Sequence, residues 1–216
     1  MRLSSLLLLL LAPLPALCAS RSDLVGIDFS HHDWTVACDN TRTCRAAGYQ
    51  NEEDADPLPV SVLLTRHGGP EQPISASLML GQYEETVLPA KLRMKVDGRD
   101  QGPLDYAASA GTATLSAPQV AALLASVSGP GAGRVVFTGD DQRQWTLSAR
   151  GASAVLLKMD EFQGRLGTPG AVMRKGKRAE SSVPAALPMP VVTLAKLAAA
   201  RPSDAALAGS GALRAA

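Results

Sequence analysis

Aromatic residues are scarce: two tryptophans, three tyrosines and three phenylalanines make up 4% of the 216-residue chain. Much of the apolar fraction is alanine, so one modest, aliphatic core is expected. An excess of charge is also missing, since the formal net charge is only +1. With no long-range field to attract a polyanion, and no basic stretch interleaved with aromatics, nucleic acid is not an expected partner. Histidine is limited to three residues, the last of them His67, so no imidazole follows in the later two thirds of the chain. No apolar run reaches the roughly 20 residues that a spanning helix needs. The longest, from Leu3 to Leu11, is soon interrupted by Pro13 and Pro15.

What stands at the start is Met1-Arg2, that short apolar core, and small residues around Ala16, Cys18, Ala19 and Ser20. This is the pattern of a secretory signal peptide over residues 1–19, and it implies a periplasmic protein with no transmembrane segment after cleavage. A lipid-anchored Cys18 is the rival, although bulky Leu17 stands where lipoprotein signals carry a small residue. Cleavage leaves two cysteines, Cys38 and Cys44, and a near-neutral chain. In an oxidising compartment a close pair of this kind reads as a disulfide, not as a metal site or a nucleophile.

The segment from Asp33 to Cys44 combines a strand pattern, a turn and both cysteines. Trp34, Val36 and Cys38 share one face at the strand period of two, and Asp39-Asn40-Thr41 supplies turn-forming side chains. Acidic residues 51–56 read as an exposed loop. Val60, Val62 and Leu64 then alternate along a strand ended by Gly68-Gly69-Pro70, and Ser75 to Leu80 reads as its partner. In Lys91 to Val96 the alternation is strict: Leu92, Met94 and Val96 face inward, and Lys91, Arg93 and Lys95 face outward as a solvated face, a guarded edge or a binding strip. Asp97-Gly98 begins a turn, with Leu104-Asp105-Tyr106 expected to return beside the strand.

Val120, Leu123, Leu124 and Val127 fall at i, i+3, i+4 and i+7, which predicts a helix capped by Ser116 and stopped at Gly129-Pro130. Val135 to Thr138 and Trp145 to Ser148 read as a hairpin around Gly139-Asp140-Asp141. A second helix is predicted from Ala152 to Glu161, burying Val155, Leu156 and Met159. Together these elements predict an α+β fold, mainly antiparallel and sandwich-like β-sheet with two packed helices, over residues 27–175. A proline-rich linker is expected at 176–190 and a loose, alanine-rich tail at 191–216.

The segment D-W-T-V-A-C-D-N-T-R-T-C, followed by V-L-L-T-R, W-T-L-S-A-R-G-A-S-A and M-D-E-F-Q-G-R, resembles a family of secreted bacterial proteins known only as domain-of-unknown-function family 1176. It is more distantly similar to the invasion-associated locus B type of periplasmic domain. The resemblance implies a Gram-negative periplasmic setting, allows residues 191–216 to be read as the start of a further C-terminal half, and supplies no catalytic residues.

Several short patterns resemble known sites but are incomplete. Leu64-Thr65-Arg66-His67-Gly68 resembles the opening of a histidine-phosphatase motif, yet the second, downstream His that this chemistry needs is absent from the sequence. Gly151-Ala152-Ser153-Ala154 stands where a nucleophile elbow would, with Ala154 in place of the second Gly and no His after the Ser. His31-His32-Asp33 offers metal-ligand types, but neighbours on a strand point to opposite faces. Glu84-Glu85, Asp140-Asp141 and Asp160-Glu161 suit turn or helix-surface positions. Arg174, Lys175, Lys177 and Arg178 form a basic cluster that reads as the solvated start of a linker or as a patch for an anionic partner. The expectation is therefore a non-catalytic domain without cofactor or metal that binds an envelope protein or cell-wall component. An envelope hydrolase or hydrolase inhibitor is the alternative.

Overall fold

A computed structural model describes residues 25–54, 57–81, 87–129 and 133–189. The expected signal peptide, Glu84-Glu85 and the tail at 191–216 lie outside the described residues. Eleven strands and two α-helices follow in the order β1 (Ile27–His31), β2 (Trp34–Cys38), β3 (Cys44–Tyr49), β4 (Val60–Arg66), β5 (Ile74–Leu80), β6 (Leu92–Val96), β7 (Arg99–Pro103), β8 (Asp105–Ala107), β9 (Thr112–Leu115), α1 (Ala117–Val127), β10 (Val135–Gly139), β11 (Gln144–Leu147) and α2 (Ala152–Phe162). The fold is α+β and mostly β, as expected. Seven strands form one antiparallel sheet in the order β1-β2-β3-β4-β5-β9-β8, and four form a second in the order β11-β10-β6-β7.

The period-two residues make the core. Trp34, Val36, Val60, Val62, Leu64 and Leu78 point inward from the larger sheet, and Leu92, Met94, Phe137, Trp145 and Leu147 from the smaller one. Both tryptophans are 1% exposed. Trp34 is seated by its cross-strand partner Gly48, where a Cβ would lie 2.3 Å from the indole ring, and its Nε1–H donates to the Ser148 carbonyl at 2.8 Å. A small residue on β3 is thus what lets a large one lie flat on it. Helix α2 packs on β1, β2 and β3 through Val155, Leu156 and Met159, while α1 packs on β5, β6 and β10.

Local chemistry sets the ends of these elements. The Ser116 N–H donates to Gln119 Oε1 at 2.9 Å, and Gln119 in turn donates to the carbonyls of Gln101 and Pro103, fixing the start of α1 against β7. Gly151 opens α2 at φ 90°, with its missing Cβ only 1.8 Å from the His31 carbonyl oxygen. Only glycine fits there.

One strand pairing differs from expectation. Asp97 and Gly98 have φ of 49° and 78°, so the reversal is complete within two residues and the chain returns at once as β7, with Val96 opposite Arg99. Leu104 does return beside β6, its N–H donating to the Leu92 carbonyl at 2.9 Å, but Asp105–Ala107 pairs with β9 at the far edge of the larger sheet. Residues 176–189, where a linker is expected, run along the folded body: Val183 is 4% exposed and the Leu187 N–H donates to the Thr41 carbonyl at 3.2 Å.

Candidate functional site

Strand β4 continues its inward alternation from Val60, Val62 and Leu64 onto Arg66, which is therefore carried into the interior and is 1% exposed. On α2 the buried stripe of Ala152, Val155, Leu156 and Met159 likewise continues onto Asp160, at 0% exposure. The two meet: Arg66 donates to Asp160 Oδ1 at 2.5 Å, to Gln163 Oε1 at 2.5 Å and to the Gly170 carbonyl at 3.3 Å. Asp160 Oδ2 accepts the amides of Val172 and Met173 at 2.7 and 2.8 Å. Asp160 thus departs from the helix-surface position expected of it, because it lies on the apolar stripe of α2; Glu161, its neighbour, is on the surface and pairs with Lys158.

A second pair lies beside the first. Arg165, 1% exposed, donates to Glu180 Oε1 at 2.7 Å and to the Gly69 carbonyl, and Glu180 Oε2 accepts the Gly170 amide at 3.0 Å. Burial pulls both guanidinium pKa values down from their ordinary range, opposed in each case by the carboxylates of Asp160 and Glu180. Gln163 completes the cluster by donating from Nε2 to the carbonyls of Arg42 and Arg66 at 2.8 and 2.9 Å. These contacts fasten the otherwise irregular segment 164–183 to the ends of β4 and α2.

Beside this cluster opens a groove of about 820 Å³. One wall is the alanine-rich face of α1, with Ala117, Ala121, Leu124 and Ala125; Pro169 and Gly170 are on the other. Arg165 also lines it, and its Nε–H is buried without a hydrogen-bond partner among the described residues. The arrangement offers an apolar trough beside one buried donor that is unpartnered among the described residues, while Arg66, Arg165 and Glu180 are otherwise engaged with their ion-pair partners and with backbone. It suits the capture of a segment that presents small apolar side chains and a carbonyl or carboxylate acceptor.

The other sequence candidates lie elsewhere. Cys38 and Cys44 are bonded, S–S 2.06 Å, as facing residues of β2 and β3. In the turn between them, Asp39 Oδ1 accepts the Thr41 amide and hydroxyl and the Thr43 amide. Burial raises the Asp39 pKa, but those donors together with Arg45 outweigh it and leave the carboxyl below its ordinary value. His31 and His32 stand at the β1–β2 turn, and Asp33 is occupied by the Ser148 hydroxyl at 2.5 Å. Among the described residues no three side chains of metal-ligating type come together.

His67 is exposed, with Nδ1 3.4 Å from Thr43 Oγ1, and Ser153 is half-buried in the first turn of α2. Asp140 accepts the amides of Ala90 and Lys91, and Asp141 pairs with Arg143. The basic cluster divides. Arg174, Lys175 and Lys177 are exposed, Lys175 on the groove rim, while Arg178 is bound to the carbonyls of Leu166 and Gly164 and to the Ser182 hydroxyl.

A family model described as a protein of unknown function (DUF1176) matches residues 28–216. Among solved structures, invasion associated protein B from Bartonella henselae is similar with a TM-score of 0.40 and 15% sequence identity, over 64% of this chain and 99% of that one. No curated protein sequence matches.

Proposed function

The chain belongs to the DUF1176 family of proteins of unknown function, and we propose that within it this protein is a non-catalytic periplasmic domain that binds an envelope protein or cell-wall component in the groove beside α1. The observation that carries the reading is the groove itself: an apolar helix face opposite backbone-rich chain, with the Arg165 Nε–H beside it buried and unpartnered among the described residues. The Cys38–Cys44 disulfide suits an oxidising compartment, and among the described residues no helix is long and apolar enough to cross a membrane.

The test is sedimentation of the mature protein with isolated envelope material. Ala121 is exposed on the groove wall, so Ala121→Arg fills the trough without disturbing the core. It is expected to abolish co-sedimentation and leave the melting temperature unchanged, whereas Ser153→Ala and His67→Ala co-sediment as wild type. Binding that survives Ala121→Arg but is lost in either of the other two variants would overturn the assignment and favour hydrolase chemistry.

A further inference from the structure

A second concavity, of about 560 Å³, shares no lining residue with the groove. It lies at the β6–β7 hairpin and the end of β10. The outward residues of β6 put Arg93 and Lys95 on the same side at the strand period of two, and Lys91 continues that row just before the strand. Arg93 is paired with Asp100, whereas neither Lys91 nor Lys95 has a side-chain partner among the described residues. Asp140, the other carboxylate of the lining, already accepts two backbone amides. On a chain of net charge +1, this is a local excess of cations around a cavity.

The same cavity has a feature that a merely solvated sheet face lacks. Tyr106 and Thr138 both line it, and both hydroxyl oxygens are shielded from water and have no hydrogen-bond partner among the described residues. Groups left unsatisfied in this way are uncommon in folded proteins and point to a partner that completes them. Burial also pushes the Tyr106 pKa up, so at neutral pH the phenol keeps its proton and can donate. Each hydroxyl can donate as well as accept, but the two unpaired ammonium groups only donate, so the set as a whole favours a ligand rich in acceptors. An ionised phosphate or carboxylate group is such a ligand, whereas a sugar hydroxyl or an amine would bring donors of its own.

We propose that the cavity bounded by Lys91, Arg93, Lys95, Tyr106 and Thr138 is an oxyanion site that takes a phosphate group, borne either by the free ion or by a lipid headgroup. The site is separate from the groove, so an envelope partner and an anion can be held at once.

The test titrates the mature protein with inorganic phosphate, following backbone amide resonances of Thr138, Gly139 and Gln142, and in parallel with vesicles of phosphatidylglycerol or of phosphatidylcholine. Shifts that saturate with phosphate, reduced about 10-fold or more in affinity by Lys91→Gln/Lys95→Gln, are the expected result. Thr138→Val and Tyr106→Phe, which remove unpartnered hydroxyls, are expected to weaken binding about 3- to 10-fold with no loss of melting temperature. Binding to phosphatidylglycerol vesicles that the lysine variant abolishes identifies the lipid as the source of the phosphate; phosphate shifts without vesicle binding identify the free ion. A protein that binds neither probe, or whose four substituted residues can be changed without effect, overturns the proposal.

Discussion

Replacing Asp160 by Ala removes the carboxylate that faces Arg66, at a site where the two side chains are 0% and 1% exposed. The guanidinium is then held out of water without its counter-ion, which costs about 3–5 kcal/mol. For a chain of this size each kcal/mol is about 2–4 °C in Tm, so Asp160→Ala is expected to melt about 6–20 °C lower than wild type. Arg66→Met makes the reciprocal change, leaving Asp160 with only the Val172 and Met173 amides. In the double variant neither charge remains. The losses that persist are an acceptor for the two amides, about 1–3 kcal/mol for each one left unsatisfied, and the Arg66 donor to Gln163 and the Gly170 carbonyl. The double variant should therefore be less destabilised than the sum of the singles by about 2–3 kcal/mol. Urea denaturation of the four proteins, with slopes that do not change, measures this directly. Additivity to within about 0.5 kcal/mol would refute the claim that the two residues hold each other in the core.

Thiol labelling of the unreduced, denatured mature protein should find no free cysteine, and Cys38→Ala/Cys44→Ala should cost about 2 kcal/mol for so short a loop; two reactive thiols would contradict the stapled turn. Ending the chain after Lys175 takes Glu180 from Arg165 and removes buried Val183. It is expected to cost about 3 kcal/mol or more, and a shortened protein that melts as wild type would place the end of the folded body at Lys175. The depressed pKa of Asp39 means that its folded carboxyl holds a proton less readily than the unfolded one. Its contribution is thus complete above the ordinary value of 3.8 and is lost as pH falls through the lower folded value. Asp39→Asn should flatten the stability curve below about pH 4, and an unaltered acid limb would show that the turn does not hold the charge.

Regular alternation made β2, β4, β5, β6 and the β10–β11 hairpin legible, and 3.6-residue spacing did the same for both helices. Strands β1, β3 and β7 were not, nor was β9, whose four residues bury only Ala113 and Leu115; the first three each have a physical reason. Strand β1 is an edge strand with Asp28, Ser30 and His31 exposed; β3 carries Ala46 and Gly48 where Trp34 fills the space; and β7, Arg-Asp-Gln-Gly-Pro, has the composition of a turn. The charge cluster was the larger omission, although its signal was present. Arg66 continues the Val60-Val62-Leu64 row, and Asp160 falls at i+8 from Ala152 on the buried stripe of α2. Two opposite charges that each land on an apolar face mark a buried ion pair more specifically than does either one alone.

The position of Arg66 along the chain has a consequence for how the molecule comes together. Its three side-chain partners stand 94, 97 and 104 residues after it. Strands β2 to β5 are joined to their neighbours by local hairpins and can pair early, whereas closing so long a loop is entropically unfavourable and belongs to a slower step. In a chain that emerges amino end first, the larger sheet exists for a time with a cation on its inward face and nothing to neutralise it. That corner must stay wet until α2 and residues 170–173 arrive. Residues 152–173 thus act as a latch, and a nascent chain halted before Asp160 presents an uncovered inward sheet face to whatever holdase or protease meets it first.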